Sequence, residues 1–245
     1  MMGMSFTYKA YCEMIELLRS CNYAVVGYRD EMKTQRSVIL RHDVDTSLDK
    51  AVEMAEVEAE IGVTSNYFIL LTTDFYNAAS LRGQQSVRHI LELGHKVGLH
   101  FDETLYKDYD MDALSAAVLR EAEILAHICR CEISTVSMHR PSQKMLDHDF
   151  KVPGMINVYG KTFFRDFKYV SDSRRNWREP VLDVISSGEY DKLHILTHPF
   201  WYANQESDIH ATVEQFVNRA NRERYTTFRD NITRLEDIMK ESEIR

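Results

Sequence analysis

The chain has 245 residues, 44% hydrophobic and 28% charged, with a formal net charge of −8. That is the profile of a soluble globular protein long enough for one large domain, and an α/β barrel of this size is ordinary. The acidic balance argues against nucleic-acid binding, which needs a basic face, and no stretch approaches the ~20 apolar residues of a membrane span.

In chain order, a helix is expected at about Tyr8 to Arg19, within a lead-in of roughly the first 30 residues. The N-terminal stretch 1–20 has no apolar h-region and carries Lys9, Glu13 and Glu16 early, so it does not read as a secretory signal. Ser37-Val38-Ile39-Leu40 reads as a buried strand ending at Arg41-His42-Asp43. Leu48 to Ile61 reads as a helix with Ser47 as N-cap and Gly62 past its end. Asn66 to Leu71 is a second strand. A helix from about Ser86 to Leu93 stops at Gly94, and Lys96 to Leu99 is a short third strand that delivers His100.

Asp112 to Cys129 reads as a long amphipathic helix. A fourth strand over Ile133 to Met138 ends at His139-Arg140-Pro141. Phe150 to Lys168 carries no clear period and is expected to loop over a site. Tyr169 to Ser171 is a fifth strand before Asp172, and Leu193 to Leu196 is a sixth before Thr197-His198-Pro199. Helix follows from about Ile209 to Arg222 and again from about Leu235; the arginines of Arg219 to Arg229 read as a solvated face. Strands alternating with helices imply parallel strands joined by crossovers. No linker rich in Pro, Gly or Ser appears, so a single domain over 1–245 is expected. Cys12, Cys21, Cys129 and Cys131 form no CxxC pair and read as reduced thiols of a cytoplasmic protein.

Five strands each end in a polar or ionisable residue. Asp43 and Asp45 follow the first, His100 the third, His139 and Arg140 the fourth, Asp172 the fifth and His198 the sixth. In a parallel α/β sheet or barrel these ends share one face, and that face carries the active site. Carboxylates and imidazoles suit a borderline cation such as Zn²⁺. In Asp43-Val44-Asp45 the period of two points both carboxylates the same way. One of them can hold a metal while the other acts as base. Plainer readings exist for each: the aspartates as helix caps, His100 as a structural histidine, and His198 or Asp172 as turn residues. The run Pro199-Phe200-Trp201-Tyr202 could line a sugar pocket, because aromatic faces stack on sugar rings, but most of it reads as core.

The motifs RHDVD, LGHKVGLHFD, SMHRPS, YVSD…W and ILTHPFWY resemble the motif series of NodB-type polysaccharide deacetylases, carbohydrate esterase family 4, and most of all an intracellular branch with an HDVD first motif. The resemblance spans about Val38 to Tyr202. It implies a distorted (β/α) barrel, parallel strands with helices outside, one divalent metal (Zn²⁺ best matched), and an acetylated sugar or surface-polysaccharide precursor as substrate. By the resemblance, Asp43 is the catalytic base and Asp45 the first metal ligand. His100 is the first histidine of the second motif, Arg140 the arginine that orients the base, Asp172 the acid of the fourth motif and His198 the general acid. The chain departs from the family where a second histidine usually follows His100 by four residues, since Thr104 stands there. A third metal ligand is then expected from His139, Asp102 or Glu103, with His139 preferred for its place at a strand end. The third motif keeps Arg140-Pro141 but lacks the following Pro and Gly, and Trp177 comes one residue late. Two rival expectations are an inactive barrel that binds a glycan or partner, and a hydrolase of another C–N bond such as a cyclic amide.

Overall fold

The computed structural model describes residues 4–30 and 35–244; Met1, Met2 and Gly3 of the segment tested for a signal lie outside them. In order, the elements are α1 (Tyr8–Ser20), β1 (Ala24–Val25), β2 (Ser37–Val44), α2 (Leu48–Glu60), β3 (Asn66–Leu70), α3 (Leu81–Glu92), β4 (Lys96–Phe101) and α4 (Met111–Cys129). Then come β5 (Thr135–Met138), α5 (Gln143–Asp147), β6 (Ile156–Asn157), α6 (Lys161–Arg165), β7 (Lys168–Ser171), α7 (Val181–Ser187), β8 (Lys192–Thr197) and α8 (Ile209–Asn231). The chain comprises two compact units, Met1–Asn204 and Gln205–Arg245.

In the larger unit the strands pair in the order β6-β5-β4-β3-β2-β8-β7, with β1 beside the start of β2, and every pairing is parallel. Among the described residues β6 and β7 do not pair, so the curled sheet stays open. Aromatic rings bridge that gap: Tyr169 lies 6.3 Å from Tyr159 and 5.1 Å from Phe164, centroid to centroid. The segment 150–168, expected as loop, supplies both β6 and α6, elements too short for a periodic signal. It also supplies Tyr159 and Phe164.

The period of two along each strand separates two cores. Val38, Leu40, Tyr67, Ile69, Val97, Leu99, Val136, Leu193 and Ile195 belong to the outer core between sheet and helices. Ile39 and Phe68 face inward, where they meet Tyr28, Val158, Phe163 and Phe167. On β4 the inward position is Gly98, because a Cβ there would lie 2.5 Å from the Phe68 ring. β2 is buried along all eight residues and runs further than its apolar run suggests. Arg41, His42 and Asp43 stay in the strand because each finds a polar partner.

Helix starts follow their caps. Ser47 accepts from the Lys50 amide and Asp110 from the Ala113 amide. The α3 helix begins at Leu81, five residues before the expected start, because Ser80 caps it at the Gly83 amide. Gly83 itself permits contact with the backbone of Asn77 and Ala78. In the smaller unit α8 runs on to Asn231, past the expected end at Arg222, and Leu235–Asp237 forms a 3-10 turn. There the buried Tyr225 donates to the Met239 carbonyl at 2.8 Å. Among the described residues no helix is long and apolar enough to cross a membrane.

Candidate active site

All strands run parallel, so their C-terminal ends form one rim. Asp43 lies near the end of β2 and Asp45 one residue past it; His100 is the penultimate residue of β4; His139, Asp172 and His198 directly follow β5, β7 and β8. A cavity of about 840 Å³ opens there, lined by Asp43, Asp45, His100, His139, Arg140 and His198 among others. Asp172 is fully buried beneath His198.

Three side chains converge on one point. His100 Nε2 lies 3.1 Å from Asp45 Oδ1, His139 Nδ1 lies 3.4 Å from the same oxygen, and the two imidazole nitrogens are 3.1 Å apart. Donors at 2.0–2.1 Å from a tetrahedral ion lie about 3.3 Å from one another, so this triangle has the edge lengths of a zinc-sized site. Asp45 Oδ1 is buried with no aligned hydrogen-bond donor, although two ring nitrogens surround it. The three atoms therefore aim at a shared point more than at each other, and the donor set fits a divalent cation. His100 Nδ1 sits 3.2 Å from the Ser137 carbonyl. That bond needs the proton on Nδ1 and leaves the Nε2 lone pair facing the triangle. Burial works against the Asp45 charge, but the close approach of the His100 and His139 imidazoles, with the charges of His100 and His198, outweighs it and holds the carboxyl well below its usual range.

Thr104 stands off this site, bonded to Asp102 through its amide and hydroxyl. Asp102 caps the 3-10 turn Glu103–Tyr106, and Glu103 accepts from Ser142. Of the three candidates for the third ligand, His139 is the one in the triangle.

The arginine on Asp43 is Arg41, not Arg140. Arg41 Nε and Nη2 donate to Asp43 Oδ1 and Oδ2 at 2.9 and 2.7 Å. Arg41 is fully buried, with its guanidinium 4.5 Å from the Tyr159 ring centroid. It also donates to Ser137, whose hydroxyl lies 3.4 Å from Asp43 Oδ1. Arg140, expected to orient the base, is exposed at the pocket wall with φ +50°. The signal for Arg41 was present in RHDVD, where residues 41, 43 and 45 share one face of the strand. Burial pushes the Asp43 carboxyl up, but the Arg41 charge, with help from His100, wins and holds it below its ordinary value.

His198 is held from below. Its Nδ1 lies 2.6 Å from Asp172 Oδ1, its amide donates to both Asp172 oxygens at 3.1 Å, and Tyr202 donates to Oδ2 at 3.1 Å. Burial pushes the imidazole down, while the Asp172 charge and hydrogen bond, with Asp45 and Asp43, raise it to about 9. Tyr202, read from sequence as core, is thus also the second anchor of Asp172.

Behind the sheet lies a second polar cluster the motifs did not reveal. Glu58 of α2 is fully buried and accepts from Tyr11 and Tyr67 at 2.5 and 2.6 Å and from Ser65. His42 Nε2 lies 3.0 Å from it, and His42 Nδ1 meets the Thr197 hydroxyl at 2.6 Å. It ties α1, α2 and β3 to the strands that carry Asp43 and His198.

No protein-family model matches the chain, and no curated protein matches it by sequence. Solved structures do resemble it. A family 4 carbohydrate esterase from Bacillus anthracis is 13% identical over 83% of this chain and 83% of its own, with a TM-score of 0.45. Peptidoglycan deacetylase PdaC from Bacillus subtilis is 11% identical over 82% of this chain and 98% of its own, at 0.44. A CE4 family pseudoenzyme from Bacillus anthracis is 12% identical over 80% of this chain, which spans only 65% of that protein, at 0.43. With TM-scores below 0.5 these likenesses carry nothing about activity, and the function is inferred from this chain's own residues.

Proposed function

We propose that the pocket removes an acetyl group from an N-acetylated sugar or surface-polysaccharide precursor, with one divalent metal, Zn²⁺ by preference, held by Asp45, His100 and His139. The observation that carries this is the triangle of donors with edges of 3.1, 3.1 and 3.4 Å beside a carboxylate kept ionised and an imidazole kept protonated. Such an ion polarises an acyl carbonyl and acidifies a water to near-neutral pH. Asp43, ionised and fixed in direction by Arg41, accepts the proton of the water that attacks the acetyl carbon. His198, its Nδ1 held by Asp172, gives its Nε2 proton to the sugar nitrogen as the C–N bond breaks. The products are acetate and a free amine on the sugar. Four free thiols suit the reducing cytoplasm, where we place this activity.

The test is metal content together with acetate release from a panel of N-acetylated sugars. About one zinc per chain, with acetate lost in Asp43→Asn while the zinc stays, is the expected result. A protein that takes up no zinc when supplied with it would sink the reading in favour of a metal-free binding barrel.

A further inference from the structure

The pocket wall above the triangle carries three arginines: Arg140 after β5, and Arg174 and Arg178 in the segment between β7 and α7. All three are exposed. Among the described residues no carboxylate pairs with any of them. Other arginines of the chain share that lack of a partner; what distinguishes these three is that they line one cavity together. Glu179 is next to Arg178 and lines the same cavity, yet it is spent on Lys168 at 2.6 Å. Arg140 and Arg174 adopt positive φ, +50° and +59°, as Arg130, Arg175 and Arg234 also do. In a chain of net charge −8, three guanidiniums without a carboxylate partner line one cavity whose acidic residues Asp43 and Glu179 are already paired with Arg41 and Lys168.

We propose that this pocket takes a sugar joined to a phosphate or diphosphate, with Arg140, Arg174 and Arg178 gripping the phosphoryl oxygens. The proposal deepens the deacetylase reading by naming the substrate class. Guanidinium groups match phosphoryl oxygens with paired N–H donors, and three of them offset the charge of a diphosphate where a single carboxylate would leave charge to spare. The cavity, about 840 Å³, lies near the top of the usual range for small-ligand sites, so there is room beyond one acetylated ring. Phe200 and Trp201, 4.8 Å apart by ring centroid, line the same space and offer apolar faces for that ring.

The experiment uses the full chain and titrates it by calorimetry with three probes: inorganic pyrophosphate, uridine diphosphate and neutral N,N′-diacetylchitobiose. Chelator is present throughout, so no ion between Asp45 and the histidines contributes. Arg140→Asn, Arg174→Asn and Arg178→Gln are compared with the parent; asparagine tolerates the left-handed backbone, and thermal melts check the fold. Pyrophosphate and uridine diphosphate are expected to bind, more weakly as salt rises, and to lose about tenfold in affinity per arginine removed, with chitobiose unaffected. Tighter binding of uridine diphosphate than pyrophosphate identifies a nucleotide carrier. Equal binding identifies the phosphate itself, as on a lipid-linked sugar. Pyrophosphate that fails to bind at low salt, or binds undiminished to all three variants, overturns the proposal. These readouts need no turnover, so an inactive protein that binds pyrophosphate leaves this inference standing, and an active one that does not bind it leaves the deacetylase reading standing.

Discussion

Arg41 and Asp43, two residues apart on one strand, close a fully buried two-point ion pair at 2.9 and 2.7 Å. An intrastrand pair of this kind keeps the carboxylate ionised and pointed at the rim without help from any loop. Removing the arginine strands a buried charge, which costs about 3–5 kcal/mol. Arg41→Met is therefore expected to unfold at clearly lower denaturant. Without the opposing charge the Asp43 carboxyl rises, so the acid limb of activity moves to higher pH. Unchanged stability and an unmoved acid limb would mean that Arg41 does not set the charge of Asp43.

His198 supplies the opposite limb. Its imidazole is raised to about 9, so it stays protonated through neutral pH and loses its proton as pH climbs through about 9. Activity is expected to fall over that range. In Asp172→Asn the principal raising charge is gone, the imidazole drops toward its ordinary value near 6.5, and the alkaline limb moves down with it. A pH–rate profile of the variant whose alkaline limb stays near 9 contradicts the pairing.

Metal content separates His139 from the other two candidate ligands. His139→Ala and His100→Ala are each expected to lose bound zinc, measured on purified protein. Asp102→Asn and Glu103→Gln are expected to keep it, because those carboxylates are occupied by Thr104 and Ser142. Zinc retained in His139→Ala would return the third ligand to open choice.

Glu58 is expected to give the fold its acid sensitivity. Burial opposes its charge, but His42, Ser65 and Tyr11 overcome this and hold the carboxyl at about 2, against 4.5 ordinarily. A folded-state value below the unfolded one means stability that is full above pH 4.5 and is lost as pH falls toward 2, about 3 kcal/mol in all. Glu58→Gln is expected to be less stable at pH 7 by that order and flatter between pH 4.5 and 2, as followed by chemical denaturation across pH.

Gly98 is the simplest packing test. A methyl group there meets the Thr135 hydroxyl and the Phe68 ring, and overpacking of this kind costs typically 1–3 kcal/mol. Gly98→Ala is expected to be destabilised by that amount, with Phe68→Leu in the same chain restoring part of it. A neutral Gly98→Ala melting curve would mean the interior has slack.

What the sequence determined by itself is whatever the chain states locally. Apolar runs of strand length followed by Asp43, His100, His139, Asp172 and His198 announce parallel strands with a chemical rim, because a strand's period and its ending are properties of neighbours in the chain. Caps such as Ser47 are local in the same way. The short β6 and α6, and the early start of α3 at Ser80, escaped because two to five residues carry too little period to read. Tertiary structure alone decided which charges meet. His139 rather than Asp102 or Glu103 completed the triangle, and Glu58 gathered partners from α1, β2 and β3, whereas the pairing of Arg41 with Asp43 was already local to RHDVD. The physical reason is register: pairing His100 with Ser137 across β4 and β5 sets His139 beside the end of its neighbour. A shift of one residue would turn every one of these side chains to the other face of the sheet.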